Sequence, residues 1–177
     1  AWYENDGAVG FTKRVITSDA IGARSVFAID VDGDGDIDVL SASLNDNTIA
    51  WYENDGVIGN LGFTKWVVTS DAITASSVFA IDVDGDGDID VLSASLNDNT
   101  IAWYENDGAV GFTKRVITSD AIAATSVFAI DVDGDDNMDV LSASYADDTI
   151  AWYKNDGALG NPGFTKQVIT SNAYSVR

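Results

Sequence analysis

The sequence predicts an all-β fold made of four-stranded antiparallel units, and three observations lead to that prediction. The chain is internally repetitive: the block at 25–56 recurs letter for letter at 77–108, and a variant of it occupies 126–157. Each unit contains four short runs rich in β-branched and aromatic residues, with turn-forming residues between them. The apolar residues show no sustained 3.6-residue period, so helices are not expected.

The unit at 25–76 shows the four predicted strands in order. They are S-V-F-A-I (25–29), I-D-V-L-S-A-S (37–43), T-I-A-W-Y-E (48–53) and F-T-K-W-V-V-T (63–69). The first is a short apolar run, the second alternates in part, and the last two are rich in β-branched and aromatic residues. The connections are an Asp/Gly loop, L-N-D-N (44–47) and N-D-G (54–56). Such short connections favour a meander in which each strand pairs with the next.

A recurring W-Y-[EK]-N-D-G motif defines the length of the units. Its tryptophans are Trp2, Trp51, Trp103 and Trp152, at spacings of 49, 52 and 49 residues. Four-stranded units of about 50 residues are typical of β-propeller blades. A β-trefoil is the second interpretation, ranked lower because its repeats are usually shorter and this chain has more than three units. The longer interval comes from G-N-L-G-F (59–63), which we expect to be a surface loop.

The predicted organisation is about three and a half blades of one propeller domain. Residues 1–24 form a half blade, with the third and fourth strands of a unit and a linker, because Ala1 aligns with Ala50. The full blades occupy 25–76, 77–125 and 126–177, the last with a C-terminal linker. Propellers close with about four to eight blades. We therefore expect a longer parent chain, or a homo-oligomer of this one, to complete the ring.

The composition excludes several classes of function. The chain has 29 acidic and 9 basic residues and a formal charge of −20, which argues against a nucleic-acid partner. It has neither Cys nor His, which excludes disulfides, thiol chemistry, zinc–thiolate sites and histidine bases. No apolar run approaches the roughly 20 residues of a membrane span, and no signal peptide is visible. Because the chain begins at Ala1, we expect a mature form or a fragment.

An acidic run, D-V-D-G-D-G-D-I-D at 30–38, is the strongest functional signal. It recurs unchanged at 82–90 and in altered form at 131–139. Four carboxylates gathered in one such loop form six pairs, and each pair at about 4 Å costs roughly 1 kcal/mol even in water. The sum is comparable with the whole stability of a domain. A cation with oxygen ligands offsets this repulsion, and Ca²⁺ is the expected ion at all three loops.

The spacing of the run suggests a role for each position. Side chains at positions 1, 3 and 5 point inward, and Gly35 at position 6 allows the sharp turn. Asp36 offers its backbone carbonyl with its side chain in water, and Asp38 closes the shell. An EF-hand is excluded because position 12 is Ser41 instead of Glu and the flanking residues are strand-like. The alternative is a solvated acidic turn without metal, but plain hairpin turns need only one or two such residues.

These motifs resemble a known repeat family. The run D-x-D-G-D-G-D-x-D-V-L after S-V-F-A-I, followed by W-Y-E-N-D-G, is similar to the FG-GAP/VCBS repeat of integrin α-like β-propellers over essentially the whole chain. The resemblance implies a seven-bladed ring with Ca²⁺ in the loop between the first two strands of a blade. The implied ligands are Asp30, Asp32, Asp34, Asp36 (carbonyl) and Asp38; Asp82, Asp84, Asp86, Asp88 (carbonyl) and Asp90; and Asp131, Asp133, Asp135, Asn137 (carbonyl) and Asp139.

The third loop departs from the pattern at two positions. Asp136 stands where the other loops have Gly35 and Gly87, and Asn137 replaces the aspartate at position 7. Aspartate tolerates a left-handed backbone better than most residues, but less well than glycine. We therefore expect a working third site that binds calcium more weakly or more slowly.

An extracellular module for protein interaction or adhesion, without catalysis, is the function that the sequence favours. The family resemblance implies extracellular recognition, and loops of this kind suit the millimolar calcium outside cells. Carboxylate pairs can hydrolyse glycosides, but these carboxylates are better explained as metal ligands. Neither a phosphate-cradling loop nor a nucleophile–base constellation occurs, so an enzyme is not expected. The expected localisation is secreted or cell-surface.

Two further interpretations stay open. A propeller-type lectin would bind a glycan instead of a protein, with Trp51, Tyr52 and Trp66 as aromatic candidates. Adjacent Trp and Tyr face opposite sides of a strand, so a core role is favoured for them. Trp66 is expected to be exposed, because other units carry Arg or Gln there. The other interpretation is a structural repeat of an oligomeric or fibrous assembly, since unpaired strand edges invite pairing between chains.

Overall fold

The computed structural model describes residues 1–57, 62–108 and 111–173, and over these ranges the regular structure is all β. Its strands are β1 (Trp2–Asn5), β2 (Phe11–Arg14), β3 (Ala23–Ile29), β4 (Asp38–Ser43), β5 (Thr48–Asn54), β6 (Phe63–Thr69), β7 (Ala75–Ile81), β8 (Asp90–Ser95), β9 (Thr100–Asn106), β10 (Phe112–Thr118), β11 (Ala124–Ile130), β12 (Asp139–Ser144), β13 (Thr149–Asn155) and β14 (Phe164–Thr170). No helix capable of spanning a membrane occurs in the described part of the chain.

The strands form four antiparallel sheets in which each strand pairs with its neighbour in the sequence. The half blade contains β1 and β2, blade 1 contains β3–β6, blade 2 contains β7–β10 and blade 3 contains β11–β14. This arrangement confirms the predicted all-β fold of four-stranded meanders. The sheets have the architecture of propeller blades, and they do not close into a ring.

The first hairpin has the same register in every full blade. The pairs that close it are Ile29–Asp38, Ile81–Asp90 and Ile130–Asp139. The acidic run therefore forms the loop between the first and second strands of a blade. Its ninth residue is also the first residue of the second strand, which places that carboxylate at the junction of loop and sheet.

The core lies between the blades, where the first strands of successive blades pack together. Phe79 of blade 2 lies between Phe27 of blade 1 and Phe128 of blade 3, with ring centroids 4.6 Å apart on each side. Trp51 and Tyr52 are 1% and 2% exposed, so the predicted core role of this pair is confirmed. Adjacent residues on a strand face opposite sides, so side chains on both faces of blade 1 are buried at this point of β5.

The turn between the second and third strands connects each blade to the next. Asn47 has φ 57°, and its Oδ1 accepts the backbone N–H of Thr74 at 2.8 Å. Asn99 has φ 58°, and its Oδ1 accepts the backbone N–H of Ala123 at 2.9 Å. Each acceptor lies in one blade and each donor in the linker that enters the following blade. The second Asn of L-N-D-N therefore joins one blade to the linker of the next, in addition to its place in the turn.

Two predicted features lie partly outside the described residues. The inserted loop at 59–63 is described only from residue 62 onward. The C-terminal linker of the unit at 126–177 is described only up to residue 173. The surface position of the insertion and the boundary of the last unit therefore stay predictions.

Candidate metal centres

The aspartate at position 1 holds the backbone of each acidic loop. In the first loop, the Asp30 carboxylate accepts the N–H groups of Gly33 at 2.8 Å and Gly35 at 2.9 Å. The second loop repeats both bonds, at 2.7 and 3.0 Å. Gly33 and Gly35 have φ values of 74° and 96°, a left-handed conformation that glycine adopts without strain. The left-handed conformation of the turn therefore favours glycine at these two positions.

Asp136 reproduces this conformation in the third loop without a glycine. It has φ 67°, and its N–H donates to Asp131 Oδ2 at 3.0 Å, as Gly35 does to Asp30. A non-glycine residue in this conformation costs of order 1–3 kcal/mol. The loop nevertheless keeps its shape, and weaker calcium binding in this loop stays a prediction.

Each loop brings three carboxylates close enough to share one ion. In each cluster, side-chain oxygen atoms lie within 4.8 Å of one another. The clusters are Asp30, Asp32 and Asp38; Asp82, Asp84 and Asp86; and Asp131, Asp133 and Asp139. All of these residues are predicted ligands, and the clusters could hold metal ions. Among the predicted side-chain ligands, Asp34, Asp90 and Asp135 lie outside the clusters, and the carbonyl donors at 36, 88 and 137 stay predictions.

The aspartate at position 9 has a second role that sequence reasoning missed. Asp38 is fully buried, and its two carboxylate oxygens accept the backbone N–H groups of Val31 at 3.0 Å and Asn54 at 2.8 Å. The same pair of bonds recurs at Asp90 and Asp139. This residue therefore joins the start of the acidic loop to the end of the third strand. Each carboxylate oxygen has a further lone pair with which it could bind a metal.

Burial of this position changes the acidity of Asp90. Burial raises the pKa of the Asp90 carboxyl to about 7, although backbone N–H bonds from Asn106 and Val83 act in the opposite direction. In the absence of a cation, the folded protein therefore holds this proton well above the pH at which an ordinary aspartate loses it. A bound cation would favour the ionised form.

Asp84 provides the observation that best fits a cation. It is 5% exposed, and its Oδ2 has no hydrogen-bond partner among the described residues. Burial, and then the charge of Asp86, raise the pKa of its carboxyl. Buried charged groups in proteins are normally paired or bound to a metal. The carboxylate oxygens of this cluster are the hard donors that Ca²⁺ prefers, so the residues fit the expected ion.

The N-D-G turn after the third strand supports the acidic loop. The side-chain amide of Asn54 donates to the carbonyl of Ile37 at 3.0 Å. Asn155 donates in the same way to Met138, and also to the carbonyl of Val83 in the preceding blade, at 3.0 Å each. Sequence reasoning treated N-D-G only as a turn. The recurrence of this Asn with every acidic run was the signal that could have identified its role.

The side chain at position 7 lies against the same turn. Asp88 is half-buried, and its Oδ2 would lie 2.7 Å from a Cβ placed on Gly108, which has φ 73°. Asp36 lies beside Gly56 in the same way. The Asp36 side chain is therefore half-buried against the turn and lies only partly in water. The glycine of N-D-G leaves the space into which this carboxylate folds.

The third loop has a lysine as a direct neighbour. Lys154 stands in β13 where β5 and β9 carry Glu53 and Glu105. Its Nζ contacts Asp133 Oδ2 and lies 3.1 Å from Asp135 Oδ2. The hydrogen bond that Lys154 donates to Asp133, and then the one that it donates to Asp135, raise the pKa of Lys154 above its usual value. The backbone N–H of Asn137, and then Lys154, lower the pKa of Asp135.

Trp66 is half-buried. Its ring stacks on Trp51, with centroids 6.2 Å apart and 28° between the planes, and its Nε1 donates to Glu53 at 2.6 Å. Trp51 and Trp66 are directly opposed in the β5–β6 register, which places the two indoles side by side. The expectation of an exposed Trp66 is therefore wrong, and its N–H is already bonded within the blade.

Sheets of four antiparallel strands, each with one acidic loop in its first hairpin, define a β-propeller-like repeat module. A family model described as FG-GAP-like repeat matches residues 1–41, 30–93 and 82–142, which together cover more than half of the chain and all three acidic loops. The chain belongs to the FG-GAP-like repeat family, so the resemblance seen in the motifs is confirmed. A search of the curated proteins found no match.

Proposed function

We propose that the chain is a calcium-binding module of an extracellular protein that recognises a protein partner and has no catalytic activity. The buried, unpartnered oxygen of Asp84 within a cluster of three aspartates is the observation that carries the proposal. Such an oxygen is unfavourable in a metal-free fold and favourable beside a cation. A cluster of three aspartates occurs in the first hairpin of each of blades 1, 2 and 3.

Calcium is the ion that the donor set favours. The cluster donors are carboxylate oxygens, and the chain has no Cys or His that would favour zinc or copper. Mg²⁺ requires a near-ideal octahedron and retains several waters, whereas Ca²⁺ accepts flexible shells of oxygen ligands. The side chains at positions 1, 3 and 9 would hold the ion in blades 1 and 3, and those at positions 1, 3 and 5 in blade 2.

Bound calcium would stabilise parts of the blade that already touch. Asp38 bonds to Asn54, and the Asn54 amide bonds to the carbonyl of Ile37. Neutralising the cluster therefore stabilises the loop, the second strand and the third strand together. A rigid surface lowers the entropic cost of binding a partner, and a chain without cysteine must obtain that rigidity from sources other than disulfides.

An extracellular location follows from the same chemistry. Calcium loops in extracellular modules work at about 10⁻⁴–10⁻³ M, a concentration far above that of the cytosol. A panel of extracellular protein domains and an array of glycans, both probed with calcium-loaded protein, test the class of partner. Binding to a protein domain supports the proposal, and binding to glycans alone would replace it with a lectin.

Asp84→Asn tests the calcium site. The substitution removes one charge from the second cluster, so calorimetric titration should show one calcium site fewer and a smaller rise in Tm with calcium. In EDTA the variant should be at least as stable as the wild type, because burial disfavours the charge that has been removed. Asp120→Asn, in an exposed linker, is the matched control. Wild-type protein that binds no calcium, with a Tm indifferent to EDTA, would overturn the proposal.

A structural role in an assembly is the second candidate. It is favoured by a valine that is buried in blades 2 and 3 but exposed at the equivalent position of blade 1. Val78 and Val127 are each 4% exposed beneath the preceding blade, whereas Val26, at the same position of blade 1, is 70% exposed. A groove of about 460 Å³ beside it is lined by Trp2 of the half blade and Tyr52 of blade 1. Blade 1 therefore exposes an apolar face, whereas the equivalent faces of blades 2 and 3 are covered.

The occupant that fits this groove is a β-hairpin with the sequence of the first two strands of a unit. Such a hairpin covers the equivalent face of blade 2, where Ser25 Oγ accepts the N–H of Val78 at 3.3 Å. A peptide of residues 22–47 should bind the protein, and Val26→Glu should abolish the binding because it places a charge on the apolar face. Light scattering over a range of concentrations tests whether copies associate. A mass independent of concentration, together with no peptide binding, would reject this candidate.

A further inference from the structure

The ammonium group of Lys154 lies where it can offset the charge of the third acidic loop. It contacts Asp133 and lies 3.1 Å from Asp135. Asp133 belongs to the carboxylate cluster that also contains Asp131 and Asp139. The repulsion that would attract a cation to this loop is therefore already reduced by a positive charge from the chain itself.

The glutamates at the equivalent positions bond to the fourth strand. Glu53 accepts the indole N–H of Trp66 at 2.6 Å, and Glu105 accepts the Nε–H of Arg115 at 2.7 Å. In blade 3 the residue at the position of Trp66 and Arg115 is Gln167, which carries no charge. The exchange of glutamate for lysine therefore occurs together with the loss of the aromatic or cationic partner on the neighbouring strand, and it changes the formal charge beside the loop by +2.

The third loop keeps the backbone bond that position 6 makes in the other loops. The N–H of Asp136 makes the same bond to the first aspartate as Gly35 and Gly87 make in the other loops. The cluster in blade 3 contains the same three positions, 1, 3 and 9, as the cluster in blade 1. Asp136 adds one negative charge to the third loop and Asn137 removes one, so the net charge of the loop is unchanged and the lysine is the feature that changes the charge beside it.

We infer that Lys154 is an internal competitor for calcium at the third loop, so that the module has two stronger sites and one weaker site. This inference rests on the proposed calcium binding. An ammonium group carries half the charge of Ca²⁺ and supplies hydrogen-bond donors only, so the ion displaces it at sufficient concentration. The Lys154 side chain is 36% exposed and can turn into solvent when that happens. Because a unit positive charge repels a divalent cation over a few ångströms, Lys154 should weaken calcium binding by about tenfold or more.

Reciprocal substitutions test the competition. Lys154→Glu installs the residue of the other blades, and the third site should then bind about tenfold or more tightly, so that three ions titrate together. Glu53→Lys places a lysine beside the first loop and should weaken that site by a similar factor. Equilibrium dialysis with metal analysis measures bound calcium per chain at each free concentration. Lys166→Gln, on the exposed side of β14, is the control and should leave the profile unchanged.

Amine labelling followed by mass spectrometry reports on the Lys154 contact itself. In EDTA the paired amine should react more slowly than the exposed Lys65 and Lys114, and calcium that fills the third loop should raise its reactivity selectively. Three equal sites that Lys154→Glu does not alter, or a Lys154 reactivity indifferent to calcium, would overturn the inference alone. No bound calcium in either wild type or Lys154→Glu would overturn the proposed function and this inference with it.

Discussion

The Asp38 carboxylate accepts the backbone N–H of Asn54 at 2.8 Å, so the residue at the end of the acidic loop also holds the end of the third strand. The same relationship links Asp90 with Asn106. These bonds form without a metal. One carboxylate therefore serves both the fold and, in blade 1, the candidate cation site, and the two roles can be separated by measuring stability in EDTA.

Asp90→Ala should destabilise the metal-free protein. The substitution removes the acceptor for two buried N–H groups, those of Val83 and Asn106, and leaves both unpaired. We expect the free energy of unfolding to fall by about 2–4 kcal/mol, measured by urea denaturation in EDTA. Asp90→Asn keeps one acceptor oxygen and should lose less. Equal losses in the two variants would show that these bonds are not the cause.

Phe79→Ala should destabilise the protein far more than Phe128→Ala, although the two residues occupy equivalent positions. Phe79 packs between two aromatic rings, whereas Phe128 packs against one and is 45% exposed. We expect a loss of about 3–5 kcal/mol for Phe79→Ala and less than half of that for Phe128→Ala. Denaturant unfolding of both variants in the same buffer makes the comparison. Similar losses would mean that packing on the second face adds no stability.

Replacing Asn99 by aspartate should destabilise the protein less than replacing it by alanine. Asn99→Ala loses the bond to the N–H of Ala123 and places alanine at φ 58°, so we expect a loss of about 1–3 kcal/mol. Asn99→Asp keeps an acceptor, and blade 3 already has Asp148 at this position with φ 51°. Asn99→Gly separates backbone strain from the lost bond. Thermal melting compares the three variants, and we expect Tm to be highest for Asn99→Asp, lower for Asn99→Gly and lowest for Asn99→Ala.

Asp55 should make the fold sensitive to acid. The N–H of Gly62, and then that of Val57, hold the pKa of the Asp55 carboxyl below its usual value. Because the folded pKa lies below the unfolded one, the stabilisation is complete above the unfolded value of about 4 and is lost as the pH falls through the folded pKa. The Tm advantage of wild type over Asp55→Asn, measured in EDTA, should therefore shrink toward acidic pH. An advantage that does not vary with pH would contradict this origin.

Local residue order was sufficient to predict the strands and the acidic loops. β-branched runs separated by Gly, Asn and Asp located the hairpins, and an exact repeat of the letters required the hairpins to be alike. The carboxylate clusters were predicted from the spacing of Asp within a glycine-containing loop, although Asp34, Asp90 and Asp135 lie outside the clusters.

Contacts between distant parts of the chain could not be predicted in this way. The Asn155 amide reaches the carbonyl of Val83, which lies 72 residues earlier, and Lys154 reaches Asp133 across 21 residues. Trp66 was expected on the surface because Arg and Gln replace it elsewhere, yet its burial depends on the indole opposite it, Trp51. The packing of neighbouring strands decides such contacts, and a single strand pattern does not contain that information.

From Ser25 and from Ser77 onward, the first hairpins of blades 1 and 2 have the same sequence and the same register, with Phe27 opposite Leu40 and Phe79 opposite Leu92. During refolding, β3 can therefore pair with β8 as well as with β4, and only the entropy of closing a longer loop distinguishes the two. Collapsed chains that have skipped one whole unit become kinetic traps, a hazard of repeat proteins. Because the blades have nearly the same sequence, native and non-native strand pairings are thus close in free energy during folding.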